Sequence, residues 1–182
     1  MTVEHTALPA HYRRTLFALL RYAIAMAFFG LLVGIAFQES ATKLPFAKAG
    51  AGLHIESIFS LSLVHGHVFM MGVVMPLVLG GALLMAHKAG GREVGPVGLA
   101  WLVRGYLPFA TLSVLLQLVK GYHVLLAVRG GQTDLAVVDA AFLGGSHALR
   151  AAVYGIAHTG MAVALGVFLV ALWKSLRPRG AA

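Results

Sequence analysis

Four long apolar runs, separated by short polar segments, dominate the chain. They extend over approximately residues 15–37, 55–86, 99–128 and 138–174. Each run exceeds the roughly 20 apolar residues that cross a hydrocarbon core of roughly 30 Å at about 1.5 Å per residue. Charged residues make up only 11% of the 182 residues, whereas a soluble domain carries about a quarter. The pattern predicts an all-α fold, a single transmembrane domain over residues 1–182 built as an integral membrane four-helix bundle.

Positive charges are unevenly distributed between the two ends of these runs. Seven cations lie on the side that both termini share with the segment between the second and third runs: Arg13, Arg14, Lys88, Arg92, Lys174, Arg177 and Arg179. Lys43, Lys48 and Arg129 lie on the other side. Because Lys and Arg concentrate in cytoplasmic loops, we expect a multi-pass protein of the cell inner (plasma) membrane with both termini cytoplasmic.

The formal net charge of +8 would suggest a nucleic-acid partner in a soluble protein. Here the cations sit at the ends of apolar runs, where anionic lipid headgroups attract them. We therefore expect lipid as the partner and no nucleic acid. The chain has no cysteine, which excludes disulfides, thiolate metal sites and covalent c-type haem attachment. Any cofactor must be held by His, Met or carboxylate side chains.

Nine histidines are unusual in so apolar a chain. Ionisable residues inside a bilayer are costly and indicate a functional site by default. Counting at about 1.5 Å per residue from the cytoplasmic helix ends, His65 and His158 fall in the outer half of the membrane, and His67 and His123 near the outer helix ends. This one-sided distribution predicts a cofactor or metal site near the outer face.

Two neutral imidazoles from facing helices are a common way to hold a b-type haem in a helix bundle. His158 shares a helix face with small residues that would give a flat macrocycle room, namely Gly155, Ala162 and Gly166. Arg150 lies two turns outward, placed to meet haem propionates through charge-assisted hydrogen bonds. His123 is the alternative second ligand, and its position next to Lys120 also suits a propionate contact.

Residues 64–81 read VHGHVFMMGVVMPLVLGG and contain a recognisable spacing. A His precedes a Met-Pro pair, with the Pro eleven positions after the His and a Gly-Gly four and five positions after the Pro: His65, Met75, Pro76, Gly80 and Gly81. The spacing resembles the second transmembrane helix of haem-copper oxidase (cytochrome c oxidase) subunit I, and the chain resembles the small four-helix membrane proteins named subunit I-like. The resemblance implies that His65 is an axial ligand of a low-spin haem.

Together the histidines and the resemblance indicate a bis-His b-type haem protein for electron transfer or small-molecule sensing near the outer face. The His-Pro-Glu-Val-Tyr copper-site motif of subunit I is absent. As an enzyme, the chain would therefore be an oxidoreductase component and not a complete terminal oxidase. A quinone, another respiratory subunit or a second copy of the chain are the partners that this function allows.

Two rival functions remain open. A copper-binding or transport protein could use His67, Met70 and Met71, which occupy adjacent turns, because imidazole and thioether suit copper. His65 and His67 point about 200° apart around a helix, so they cannot chelate one ion together. The second rival is a cofactor-free accessory subunit of a larger respiratory complex.

Two polar residues of the third run, Gln117 and Lys120, share a helix face within or near the membrane. They could contact a quinone or a haem propionate. Snorkelling of Lys120 toward the outer headgroups is the simpler interpretation. Asp134 and Asp139 are interpreted as solvated carboxylates.

Overall fold

A computed structural model describes residues 8–44 and 49–177 of the chain. Four helices are long and apolar enough to cross a membrane: α1 (Ala10–Thr42), α2 (Ala51–Lys88), α3 (Pro96–Arg129) and α5 (His147–Ser175). A short helix, α4 (Leu135–Ala141), connects α3 to α5. The all-α prediction is confirmed, and the helices suit a membrane bundle. Of the cations used above to orient the chain, Lys48 and Arg179 lie outside the described residues.

The helix bounds differ from the prediction most clearly at the fourth run. The predicted helix from residue 138 is interrupted, and α5 begins at His147. Leu143, Gly144 and Gly145 have φ angles of 54°, 70° and 79°, in the left-handed region that glycine adopts without strain. The Ser146 side chain then accepts a hydrogen bond from the backbone N–H of Leu149 and caps α5. Hydropathy alone did not reveal this reversal, because the Gly144-Gly145-Ser146 turn lies between two apolar stretches.

The helices pack in chain order, with α1 against α2, α2 against α3, and α3 against α5. We call the end that carries the start of α1 and the end of α5 the terminal end, and the other the loop end. The core at the terminal end is almost fully buried and includes Tyr12, Leu83, Leu102, Tyr106 and Phe168. Two backbone N–H groups secure the α2–α3 connection: Arg92 donates to the Ser175 carbonyl at 2.7 Å, and Val94 to the Tyr12 hydroxyl at 2.7 Å.

Two transmembrane helices contain a π-helical segment. Val68–Val74 in α2 and Trp101–Tyr106 in α3 are π-helical, and each ends two residues before a proline, Pro76 or Pro108. A proline ring clashes with the carbonyl four residues before it in a regular α-helix. The wider turn before each proline avoids that arrangement.

The π turn of α2 leaves one carbonyl to be satisfied by a neighbouring helix. The backbone N–H of Met75 donates to the Met70 carbonyl, five residues back. If this five-residue hydrogen-bond pattern continued, the Met71 carbonyl would accept from the N–H of residue 76. Residue 76 is a proline, which has no N–H. The Tyr106 hydroxyl of α3 donates to the Met71 carbonyl at 2.9 Å instead. This hydrogen bond joins the π segments of the two helices.

Tyr106→Phe should lower the free energy of unfolding by about 0.6 kcal/mol, the average for hydrogen bonds between transmembrane helices, and by at most about 1.7 kcal/mol. The loss should be smaller in a Pro76→Ala background, because alanine restores an N–H that can donate to the Met71 carbonyl. Reversible unfolding in mixed micelles, followed by circular dichroism, measures both differences. An equal loss in the two backgrounds would contradict the proposed role of the tyrosine.

Candidate functional site

His65 packs against α1, and its ring is half-buried. Its Nδ1 lies 3.0 Å from the Gly30 carbonyl oxygen, and Phe69 meets the ring edge-on with centroids 5.1 Å apart. Because a carbonyl only accepts, the neutral ring carries its proton on Nδ1 and its lone pair on Nε2. A metal-ligating histidine commonly has this arrangement, with one ring nitrogen held by a backbone carbonyl and the other on the metal.

Two glycines of α1 allow the His65 and Phe69 rings of α2 to lie close to the α1 backbone. A Cβ atom on Gly34 would lie 2.9 Å from the His65 ring, and one on Gly30 would lie 2.8 Å from the Phe69 ring. Gly30 and Gly34 are one helical turn apart, the small-residue spacing that lets transmembrane helices approach closely. Their four-residue spacing is a signal for close helix packing that the sequence already contains.

His67 points to the other side of α2. Its Nδ1 donates to the Leu63 carbonyl at 2.7 Å, and its ring lines a groove of about 260 Å³ between α2, α3 and α5. The other polar residues that line this groove are Ser60, Gln117, Lys120 and Tyr154. The Gln117 Oε1 atom and the Tyr154 hydroxyl are buried and have no hydrogen-bond partner among the described residues. The two histidines thus have separate surroundings, as the helical spacing predicts.

His158 is exposed on α5. Its Nδ1 donates to the Tyr154 carbonyl at 2.9 Å, and its ring stacks on the Tyr154 ring at 6.0 Å with 27° between the planes. A Cβ atom on Gly155 or Gly166 would meet nothing within 4 Å. The small-residue face predicted to accommodate a macrocycle therefore borders open space. Within one chain, His65 packs against α1, whereas His158 is exposed on α5.

Arg150 and His123 hold the segment that leads from α4 into α5. Arg150 Nη1 donates to the carbonyls of Ala140 at 2.6 Å and Phe142 at 3.2 Å. His123 Nε2 donates to the Val138 carbonyl at 2.9 Å, and its ring packs on Phe142 with centroids 5.3 Å apart. The two side chains considered for haem propionates or ligation thus stabilise the turn that the sequence did not predict.

Lys120 is paired with a carboxylate. Its Nζ lies 2.6 Å from Asp139 Oδ1, and this hydrogen bond lowers the pKa of the Asp139 carboxyl, so the carboxyl is ionised at neutral pH. The Asp139 side chain is 56% exposed, as expected for a solvated carboxylate, and it lies beside α3 because α4 packs against that helix. The spacing along the sequence did not predict its pairing with Lys120.

The residues suggested for copper diverge in space. Met70 is 60% exposed, Met71 packs against the core cluster, and His67 lines the groove. Among the described residues there is no group of three or more His, Cys, Asp or Glu side chains that could hold a metal ion.

Comparison of the chain with protein-family models, curated proteins and solved structures finds no match. Four of the described histidines, His54, His65, His67 and His158, direct Nδ1 to a backbone carbonyl. Of these histidines, only His65 bonds to a carbonyl within another transmembrane helix.

Proposed function

We propose that the chain is a membrane-embedded b-type haem protein that transfers electrons or senses a small molecule near the outer face. The observation that supports this most is the setting of His65, whose Nδ1–H is fixed by the Gly30 carbonyl at 3.0 Å. Its Nε2 lone pair suits axial ligation of haem iron. A bound haem would supply one-electron chemistry, and the chain would then act as an oxidoreductase component.

The second axial ligand is proposed to be His158, with its Nε2 available and its surroundings open. His123 is a weaker candidate because the Val138 carbonyl engages its Nε2. Since His65 and His158 face different surroundings in one chain, bis-His ligation is proposed across two copies. Each copy would then give His65 to one site and His158 to the other, in a homo-oligomer.

A quinone or another respiratory subunit is the proposed redox partner. The groove lined by His67 supports a quinone, because its volume of about 260 Å³ approaches the lower end of small-molecule pockets, roughly 300 Å³. The buried Tyr154 hydroxyl can donate a hydrogen bond to a quinone carbonyl, and the buried Gln117 Oε1 atom can accept one from the hydroxyl of the reduced quinol.

The visible spectrum of the purified protein tests the haem proposal. We expect a Soret band and low-spin features that sharpen on reduction. Copper found by elemental analysis of a protein without a Soret band would favour the copper-binding function. A colourless, metal-free protein from haem-supplied cells would contradict haem binding and favour the accessory subunit.

We further propose that the protein lies in the plasma membrane with both termini cytoplasmic, because exposed cations concentrate at the terminal end. A reporter active only in the cytoplasm and fused after Ala182 should be active. A matched insertion after Gly131, at the loop end, should be inactive. Activity of the second fusion with loss of the first would reverse the orientation.

A further inference from the structure

An open groove lies between α1 and α3 at the terminal end, away from the histidines considered for haem. Its volume is about 460 Å³. Arg14 of α1 and Arg104 of α3 line it together with His11. Its walls are apolar and include Ala18, Leu99, Ala100 and Val103. The groove thus combines cationic groups from two helices with a surface that suits hydrocarbon.

The two arginines have no anionic partner within the described part of the chain. The ion pairs there join His11 to Glu93, Lys43 to Glu39, and Lys120 to Asp139. The Glu93 carboxylate lies 3.6 Å from His11 Nε2 and therefore already has a partner. Arg104 lies two turns inside α3, where a cation is costly unless it is paired. The balancing anion is therefore expected from outside the described part of the chain.

A second apolar groove adjoins the first. It has a volume of about 350 Å³, is lined by Val97, Trp101, Gly105 and Phe109, and shares Ala100 and Arg104 with the first groove. Arg104 consequently lies between two apolar grooves. One guanidinium group with an apolar groove on each side suits a molecule that has one anionic group and two hydrocarbon chains.

We propose that α1 and α3 bind one anionic diacyl phospholipid. Its phosphate contacts Arg14 and Arg104, and its acyl chains lie along the two grooves. Guanidinium groups form bidentate, charge-assisted hydrogen bonds with phosphate. With the termini on the cytoplasmic side, the site faces the leaflet whose anionic lipids attract basic residues. This inference is independent of haem binding.

Tryptophan fluorescence of the full-length protein in neutral detergent tests the site. The chain has two tryptophans, so Trp173→Phe leaves the emission of Trp101, which lines the second groove. Dioctanoyl phosphatidylglycerol should change this emission saturably, and dioctanoyl phosphatidylcholine should bind about tenfold more weakly or less. Inorganic phosphate alone should cause no change. Equal affinity for the two lipids, or equal binding of phosphate alone, would overturn the proposal.

Substitutions identify the groups responsible. Arg14→Gln and Arg104→Gln should each weaken phosphatidylglycerol binding about tenfold or more, the loss expected for a charge-assisted hydrogen bond. Arg104→Lys should weaken it less than Arg104→Gln, because it keeps the charge and loses the bidentate geometry. Arg129→Gln, an exposed cation at the loop end, is the matched control and should bind as the parent does. Helicity and the unfolding midpoint, measured on every variant, verify folding, and an equal loss in Arg129→Gln would contradict the site.

Discussion

His65→Ala should abolish the low-spin haem spectrum of the purified protein, and His67→Ala should leave it intact. The two histidines are two positions apart on α2, so each variant controls for the general effect of removing an imidazole there. Only His65 has its Nδ1–H bonded to another transmembrane helix, through the Gly30 carbonyl at 3.0 Å. His67 bonds to its own helix, through the Leu63 carbonyl.

Loss of an axial imidazole either converts a six-coordinate low-spin iron to a high-spin one or releases the haem. Absorption spectra of the oxidised and reduced protein, together with extracted haem per chain, distinguish these two results. If His67→Ala bleaches the protein and His65→Ala does not, the iron lies in the groove beside Gln117 and Tyr154, and the proposed role of His65 is wrong.

The proposed second ligand can be tested by mixing chains. His158→Ala alone should lose the low-spin spectrum, as His65→Ala does. If each site uses His65 of one copy and His158 of another, coexpressed chains carrying one substitution each should recover part of the spectrum, since a mixed dimer retains one complete site. A coexpressed sample as colourless as the two single variants would contradict ligation across copies.

Gly91→Ala should strongly lower the stability of the protein. Gly91 lies in the α2–α3 connection, where a Cβ atom would stand 2.7 Å from both the Ala86 and the Ser175 carbonyl oxygens. Both are backbone atoms at helix ends, so neither can move aside as a side chain would. Overpacking of this kind costs about 1–3 kcal/mol, measured as the free energy of unfolding in mixed micelles.

Gly81→Ala is the matched control for this substitution. Gly81 is within α2, and a Cβ atom there would meet nothing within 4 Å. Alanine in a helix interior is favoured over glycine by about 0.5–1 kcal/mol, so this variant should be as stable as the parent or slightly more. If Gly91→Ala and Gly81→Ala had similar free energies of unfolding, the stability of the protein would not depend on the close approach of Gly91 to the Ser175 carbonyl.

The sequence by itself determined the number and approximate position of the membrane-spanning helices. In a bilayer each helix must satisfy its own backbone hydrogen bonds, so a run of about 20 apolar residues is sufficient to define one. The same local geometry correctly separated His65 from His67, since directions around one helix follow from the spacing along it. The break before α5 coincides with Gly144, Gly145 and Ser146, a turn signal that hydropathy alone does not detect.

Tertiary structure alone decided which neighbours these side chains meet. The sequence did not predict that His65 packs against Gly30 and Gly34, that Asp139 pairs with Lys120, or that Tyr106 donates to the Met71 carbonyl. In a soluble protein the apolar face of a helix indicates which side turns inward. Lipid tails are as apolar as a leucine side chain, so hydropathy does not determine the rotation of a transmembrane helix about its own axis. That rotation is determined by close packing and by hydrogen bonds between helices, and both depend on the assembled bundle.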